Sequence, residues 1–150
     1  MNPANRVRVL FICIGNACRS PMAEAIARRD AADVIEPSSA GLYALGRIPD
    51  RTTETLKANN YSSEGLSSKA ISREAVQNAD CIVNLSGAPI DHLFASGPSQ
   101  LRNGQQVENW NVTDPYGEDP ETYQRILKEL EQRVQGLANL LRKEHRSAHT

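Results

Sequence analysis

The sequence predicts a single-domain α/β fold built on a four-stranded parallel sheet, and three observations predict it. Two short, strongly apolar runs, residues 7–12 and 81–85, read as strands buried on both faces. Strand patterns alternate with helix patterns along the chain, as a parallel sheet with helices on both faces requires. Two further strand-like segments carry edge marks, Pro37 in one and interleaved polar residues in the other. At 150 residues the chain can bury one proper core and is too short for two, so residues 1–150 form one expected domain.

Taken in order, residues 1–6 read as a loose leader and residues 7–12 as the first strand. A short loop with Gly15 follows. Ser20-Pro21 then predicts a helix over residues 22–29, because Ser caps well and Pro is pre-set for the first helical position. Residues 34–39 predict the second strand, at a sheet edge because Pro37 cannot donate to a central ladder. Ser39-Ala40-Gly41 is expected to end it in a turn, followed by a loop over 42–49 that carries Tyr43. Asp50 is the expected cap of a weakly amphipathic helix to about residue 60, and residues 61–68 form a Ser-rich loop. Ser72 should cap a short helix over 73–78. The third strand, 81–85, is placed centrally. A helical turn near 90–95 ends at the breaker Ser96-Gly97-Pro98, and Asn103-Gly104 is another turn.

Residues 106–112 predict the fourth strand, at the opposite edge, with Trp110 in it as a packing residue. Asp119-Pro120 opens a long helix to about Arg142, with residues 144–150 expected to fray. Its Tyr123, Ile126, Leu127, Leu130, Val134, Leu137, Leu140 and Leu141 share one face. With strand 1 central and strand 2 at an edge, the economical order is 2-1-3-4. That is a small flavodoxin-like fold, whose ligands bind beyond the carboxyl ends of the strands.

Composition narrows the function classes. The net charge of −1 offers no attraction for nucleic acid or a membrane surface. No apolar run approaches transmembrane length, and the N-terminus lacks a signal-peptide pattern. Three cysteines do not make a disulfide framework, so the expected compartment is the reducing cytoplasm. Cys81, inside an apolar strand, reads as an inert core thiol. His92, His145 and His149 are scattered, so neither a metal site nor a cofactor is expected.

The chemistry lies after the first strand. A strand that passes through a Gly-containing loop into a helix N-terminus aims several backbone N–H groups at one point, an anion site before any side chain is considered. Cys13, at the mouth of this loop, feels the helix dipole, those N–H groups and a guanidinium, all of which favour a thiolate. Arg19 follows with five residues between, and its planar fork can hold two oxygens of a tetrahedral oxyanion. Ser20 can donate to the sulfur and Asn16 can tie the loop to itself. The outcome is a phosphate-sized cradle, formed by Ile14, Gly15, Asn16, Ala17, Cys18 and Arg19, with a nucleophile at its floor.

The run Cys13-Ile14-Gly15-Asn16-Ala17-Cys18-Arg19-Ser20-Pro21 resembles the signature of the low-molecular-weight protein tyrosine phosphatases and is shared in large part by related arsenate reductases. The resemblance implies the same fold and a phosphocysteine intermediate, with Cys13 as nucleophile and Arg19 as the group that holds the equatorial oxygens. In the 2-1-3-4 order, the loop after strand 4 lies on the same sheet end as the loop after strand 1, so Asp114 can overhang the cradle. Asp114-Pro115-Tyr116 is similar to the family's Asp-Pro-Tyr loop, which makes Asp114 the expected general acid and base. The resemblance also implies a reversible Cys13–Cys18 disulfide, although Cys18 can equally be a small loop filler. Tyr43 and Tyr116 are candidate walls of a slot for an aromatic leaving group.

Among family activities, hydrolysis of a phosphotyrosine-bearing protein or small aryl phosphate is the leading expectation, from a monomer or weak dimer. A thiol-coupled arsenate reductase is the first rival. Its thioredoxin-linked members need a further cysteine just after the third strand, where this chain has Ser86, and no cysteine follows Cys81. A phosphoarginine phosphatase is the second rival; members of that kind carry Thr directly after the nucleophile, where this chain has Ile14. From a different class, a phosphate-anion binding module would have no use for a general acid, and Asp114 argues against it.

Overall fold

The computed structural model describes residues 6–91 and 104–148. The elements are β1 (Val7–Cys13), α1 (Arg19–Asp30), β2 (Ile35–Gly41), α2 (Asp50–Ala58), α3 (Arg73–Asn78), β3 (Cys81–Asn84), β4 (Gln106–Asn109) and α4 (Pro120–Ala148). The four strands form one all-parallel sheet in the order β2-β1-β3-β4, as expected. No described helix is long and apolar enough to cross a membrane.

Strand periodicity splits the core in two. Val9, Phe11 and Cys13 of β1 face the larger core, which α1, α2 and α4 close with Met22, Ile26, Leu56, Tyr123, Leu127 and Leu130. Leu10 and Ile12 face the other side, where they meet Val76 of α3, Ala79, Ile82 and Ile90. Each fully buried leucine contributes about 1.5–3 kcal/mol relative to exposure. Phe11 also packs at a tilt against Trp110, with ring centroids 5.9 Å apart. The packing role expected for Trp110 therefore holds, but the residue lies beyond β4 rather than in it.

Several element ends differ from the sequence reading. β2 continues through Ser39, Ala40 and Gly41, because these pair in register with Phe11, Ile12 and Cys13. Its far edge is blunted by Pro37. Gly41 uses that outer edge, donating to the Lys69 carbonyl (2.9 Å) and accepting from the Ile71 amide (2.9 Å). The two-residue alternation sets Pro37, which has no N–H, on the same edge. β4 stops at Asn109 rather than continuing to residue 112: Trp110 N donates to the Asn84 carbonyl (2.9 Å) and β3 supplies no partner beyond it. α4 extends past Arg142 to Ala148, helped by the Arg142 fork on Asp33 (2.8 Å from both Nε and Nη2), and Leu140 of its expected apolar face is exposed. Asp119 caps α4, its Oδ1 accepting from Thr122 N at 2.8 Å. Ser72 likewise caps α3, accepting from Ala75 N. Asp50 does not cap α2; it is the first helical residue after Pro49, and its charge suits the positive end of the dipole. The turn expected near residues 90–95 and the breakers at 96–98 and 103 lie outside the described residues, apart from Ile90 and Asp91.

Gly41 sets how closely β2 approaches the loop after β1. A Cβ there would stand 2.7 Å from Asn16 N, 2.9 Å from the Gly15 carbonyl carbon and 2.9 Å from the Ile14 oxygen, all of them backbone atoms. Gly41→Ala should therefore push the loop away and lower stability by about 1–3 kcal/mol. Urea unfolding measures this, and an unchanged midpoint would refute the close contact.

Candidate active site

β1 ends at Cys13, α1 begins at Arg19, and the residues between them curl into a cradle at the carboxyl end of the sheet. Asn16 makes the curl possible. Its φ of 49° places it in the left-handed region, which Asn tolerates better than most residues. Its buried side chain then locks the shape, Nδ2 donating to Ser20 Oγ (2.7 Å) while Oδ1 accepts from Lys69 N (2.9 Å). Ser20 does not act as the expected helix cap. The helix starts at Arg19, three residues before the expected position 22, with no side-chain cap at Cys18, and Ser20 and Pro21 sit inside the first turn, where Pro is still tolerated. Ser20 Oγ lies 2.9 Å from Cys13 Sγ. Because its oxygen already accepts from Asn16, its own proton is free to point at the sulfur. An uncapped N-terminus meanwhile leaves first-turn N–H groups for an anion.

Arg19 is buried, with 5 % of its surface exposed. Its Nη1 donates to the Leu85 carbonyl (2.5 Å) and the Val112 carbonyl (3.1 Å), which fixes the plane of the guanidinium. Nη2 lies 3.5 Å from Asp114 Oδ2. Nε is buried and has no hydrogen-bond partner among the described residues. A buried N–H left in this way is costly unless something outside the protein accepts from it. Nη1 is thus spent on positioning, and Nε is left without an acceptor among the described residues.

Asp114 is half-exposed, and its Oδ1 accepts from Tyr116 N at 3.1 Å, which stiffens the loop that carries it. Arg51 of α2 ties down the same loop by donating to the Glu118 carbonyl (2.7 Å). Cys13, Ile14, Gly15, Ala17, Cys18, Arg19, Tyr43, Leu45, Asp114 and Tyr116 line one cavity of about 220 Å³. Asn16 and Ser20 lie beneath it. A larger cleft of about 600 Å³ between β2 and α3 holds no cysteine, and its one arginine, Arg8, pairs with Asp80.

The slot wall is bound to the cradle by backbone. Leu42, Tyr43 and Leu45 donate to the carbonyls of Cys13, Ile14 and Gly15 at 3.0, 2.8 and 2.9 Å. Ser68 bridges the two loops, its hydroxyl donating to the Gly15 carbonyl (2.9 Å) and accepting from Gly46 N (2.9 Å). Tyr43 is 80 % exposed and Tyr116 52 %, so both line the cavity while leaving much of their surface to solvent. Leu45 joins them on the rim. Sequence reasoning missed Leu45 and Ser68, since neither belongs to a motif and both reach the site only through β2's close approach.

The three cysteines are free thiols in different settings. Cys18 Sγ lies 3.3 Å from Tyr123 Oη and 3.5 Å from Thr52 Oγ1, which anchors the cradle to α4 and α2. Burial pushes its thiol up, and those two hydrogen bonds only partly oppose the shift. Burial likewise pushes Cys81, on β3, up to about 12. Among the described residues no group of side chains could hold a metal ion.

The family model of the low molecular weight phosphotyrosine protein phosphatases matches residues 8–147. The chain belongs to that family. A low molecular weight phosphotyrosine protein phosphatase of Schizosaccharomyces pombe is 35% identical over 68% of this chain and 64% of its own length. The chain thus spans just under two thirds of that relative. Arsenate reductase 1 of Bacillus cereus is 30% identical over 89% of this chain and 96% of its own. Among solved structures, the YwlE arginine phosphatase from Geobacillus stearothermophilus superposes with a TM-score of 0.83 at 25% identity, covering 96% of this chain and 98% of that one. The relatives thus carry the names of a tyrosine phosphatase, an arsenate reductase and an arginine phosphatase.

The buried thiol of β3 makes a separate stability prediction. Its proton is held from the ordinary value of 9.0 up to about 12, so the folded state binds it more tightly than the unfolded state. That stabilisation is complete below the unfolded value and is lost as pH rises through the folded one. Cys81→Ala should show a shallower alkaline loss of stability between pH 9 and 12 in urea titrations. Parallel curves for variant and wild type would contradict it.

Proposed function

We propose that this chain is a cysteine-dependent phosphomonoester hydrolase that acts on phosphotyrosine-bearing proteins or small aryl phosphates. One observation carries the reading: Cys13, Arg19 and Asp114 line a single cavity, and the buried Arg19 Nε has no acceptor among the described residues. In the first step Cys13 attacks phosphorus. The S–P bond forms, the P–O bond to the leaving group breaks, and Asp114 gives that oxygen its proton. Arg19 and the loop N–H groups between Ile14 and Ser20 hold the equatorial oxygens as charge builds there. Ser20, donating toward Sγ, steadies the sulfur as leaving group in the second step. Water then attacks phosphorus, Asp114 takes its proton, and the S–P bond breaks to release inorganic phosphate.

The rim supports the aryl substrate. Tyr43, Leu45 and Tyr116 make an apolar mouth above a charged floor, which suits a flat ring carrying a phosphate. Ile14, an apolar residue directly after the nucleophile, is a poor partner for a guanidine phosphate. The arginine phosphatase likeness nevertheless keeps phosphoarginine as the second reading. Arsenate reduction has less support. Ser86 spends its hydroxyl on Asn84 Oδ1 (2.6 Å), and the remaining thiol, Cys81, is buried in β3. Three free thiols, one of them the proposed nucleophile, fit a reducing, cytoplasmic setting.

Hydrolysis of para-nitrophenyl phosphate tests the chemistry. Cys13→Ser should abolish it, and inorganic phosphate should protect Cys13 of the wild type from iodoacetate; an active serine variant would end the covalent mechanism. Asp114→Asn should slow esters of poor leaving groups by about 10²–10⁴-fold and activated esters much less. Equal slowing of both would remove its acid role. Phosphotyrosine and phosphoarginine peptides compared under reducing conditions decide the substrate, and preference for the guanidine phosphate would overturn the aryl reading.

A further inference from the structure

The guanidinium of Arg19 is aimed by two backbone carbonyls, and one of them is itself held by a closed set of side chains. Leu85 O, the 2.5 Å acceptor of Arg19 Nη1, belongs to the first residue beyond β3. On its N-terminal side Leu85 N donates to the Ile12 carbonyl of β1 at 2.6 Å. On its C-terminal side the chain is caught by Asn84. The Asn84 Oδ1 accepts from both Ser86 N (3.0 Å) and Ser86 Oγ (2.6 Å), while its Nδ2 donates to the Ala88 carbonyl (2.8 Å) and to Asn109 Oδ1 (2.9 Å). Two donors and two acceptor positions are all that a carboxamide has, and all four are used. The residue is 4 % exposed, so each bond is made away from water.

We propose that Asn84, with Ser86 as its partner, is a positioning residue for Arg19, acting through the Leu85 carbonyl. An ordinary turn would leave that carbonyl free to rotate about its flanking dihedrals. Here the peptide before Leu85 is fixed by the sheet and the one after it by the carboxamide, so the acceptor points in one direction only. The Nε edge of the fork inherits that direction. Ser86 thus serves orientation, its hydroxyl and its amide both held by Asn84. The inference rests on the phosphatase reading only for its consequence in turnover; phosphate binding reads the fork without any chemistry.

The experiment is a double-mutant cycle on the full chain, with the affinity for inorganic phosphate measured by calorimetry. Asn84→Ala should weaken phosphate binding about tenfold and lower kcat/KM for para-nitrophenyl phosphate by at least as much, since misplacement of a catalytic group is costly. Ser86→Ala, which leaves the bond from Ser86 N in place, should weaken phosphate between about twofold and tenfold. In an Arg19→Lys background, where no planar fork is left to aim, both losses should shrink to less than about twofold. Equal losses in both backgrounds, or unchanged phosphate affinity in Asn84→Ala, would overturn the proposal. If Asn84→Ala does not fold, Ser86→Ala decides by the same comparison. A wild type that binds phosphate and fails to hydrolyse aryl phosphates would sink the proposed function and leave this inference standing.

Discussion

A buried arginine whose Nε finds no acceptor among the described residues is the constraint to which this structure answers. Removing a guanidinium from water costs several kcal/mol unless its donors are met. Arg19 is met unevenly: one nitrogen is shared by two carbonyls, one leans toward a half-exposed carboxylate, and Nε has no acceptor among the described residues. No packing of apolar residues produces that arrangement. It requires β3 to end at Asn84, so that Leu85 can turn its carbonyl inward. It also requires β4 to end early, so that Val112 can do the same. The short fourth strand and the polar turn after the third therefore share one cause.

The backbone of the cradle imposes the second demand. Its curvature needs a left-handed residue at Asn16 and a neighbour without a Cβ at Gly41, because a methyl there would meet three backbone atoms of the loop. β2 thus runs on past its expected turn, since only a continued parallel pairing brings Gly41 level with Cys13. Once that strand is in place, residues 42–45 hydrogen-bond to the loop carbonyls, and the wall of the slot follows from the cradle.

These dependencies explain what the sequence could disclose. Sheet order, the strand–loop–helix frame and the placement of Cys13, Arg19 and Asp114 about one cavity were legible because each follows from local pattern or from topology alone. Of the two roles the sequence suggests for Ser20, the approach to sulfur is the one its hydroxyl makes, while the capping role fails because the helix begins before it. Leu45, Ser68 and Asn84 were not legible. Their roles arise from tertiary juxtaposition across β1, β2 and β3, and a single sequence marks none of the three with a pattern. The extension of α4 was hidden for a similar reason, since Arg142 finds its partner Asp33 over a hundred residues away.

The same geometry bears on how one cradle serves several reactions. The floor, made of backbone N–H groups and an arginine fork, recognises a tetrahedral oxyanion and says nothing of what is attached to it. Discrimination must come from groups that touch the remainder of the substrate or take over after the first attack. In this chain those are Ile14 beside the nucleophile, the apolar rim of Tyr43, Leu45 and Tyr116, and Ser86 where a thiol would permit reduction. Their side chains stand apart from the anion loop's own hydrogen bonds, although Ile14 belongs to the loop and Tyr43 and Leu45 are tethered to it by backbone. Substituents at these positions can therefore change the reaction without disturbing the fork, provided that position 86 still offers Asn84 a hydrogen bond.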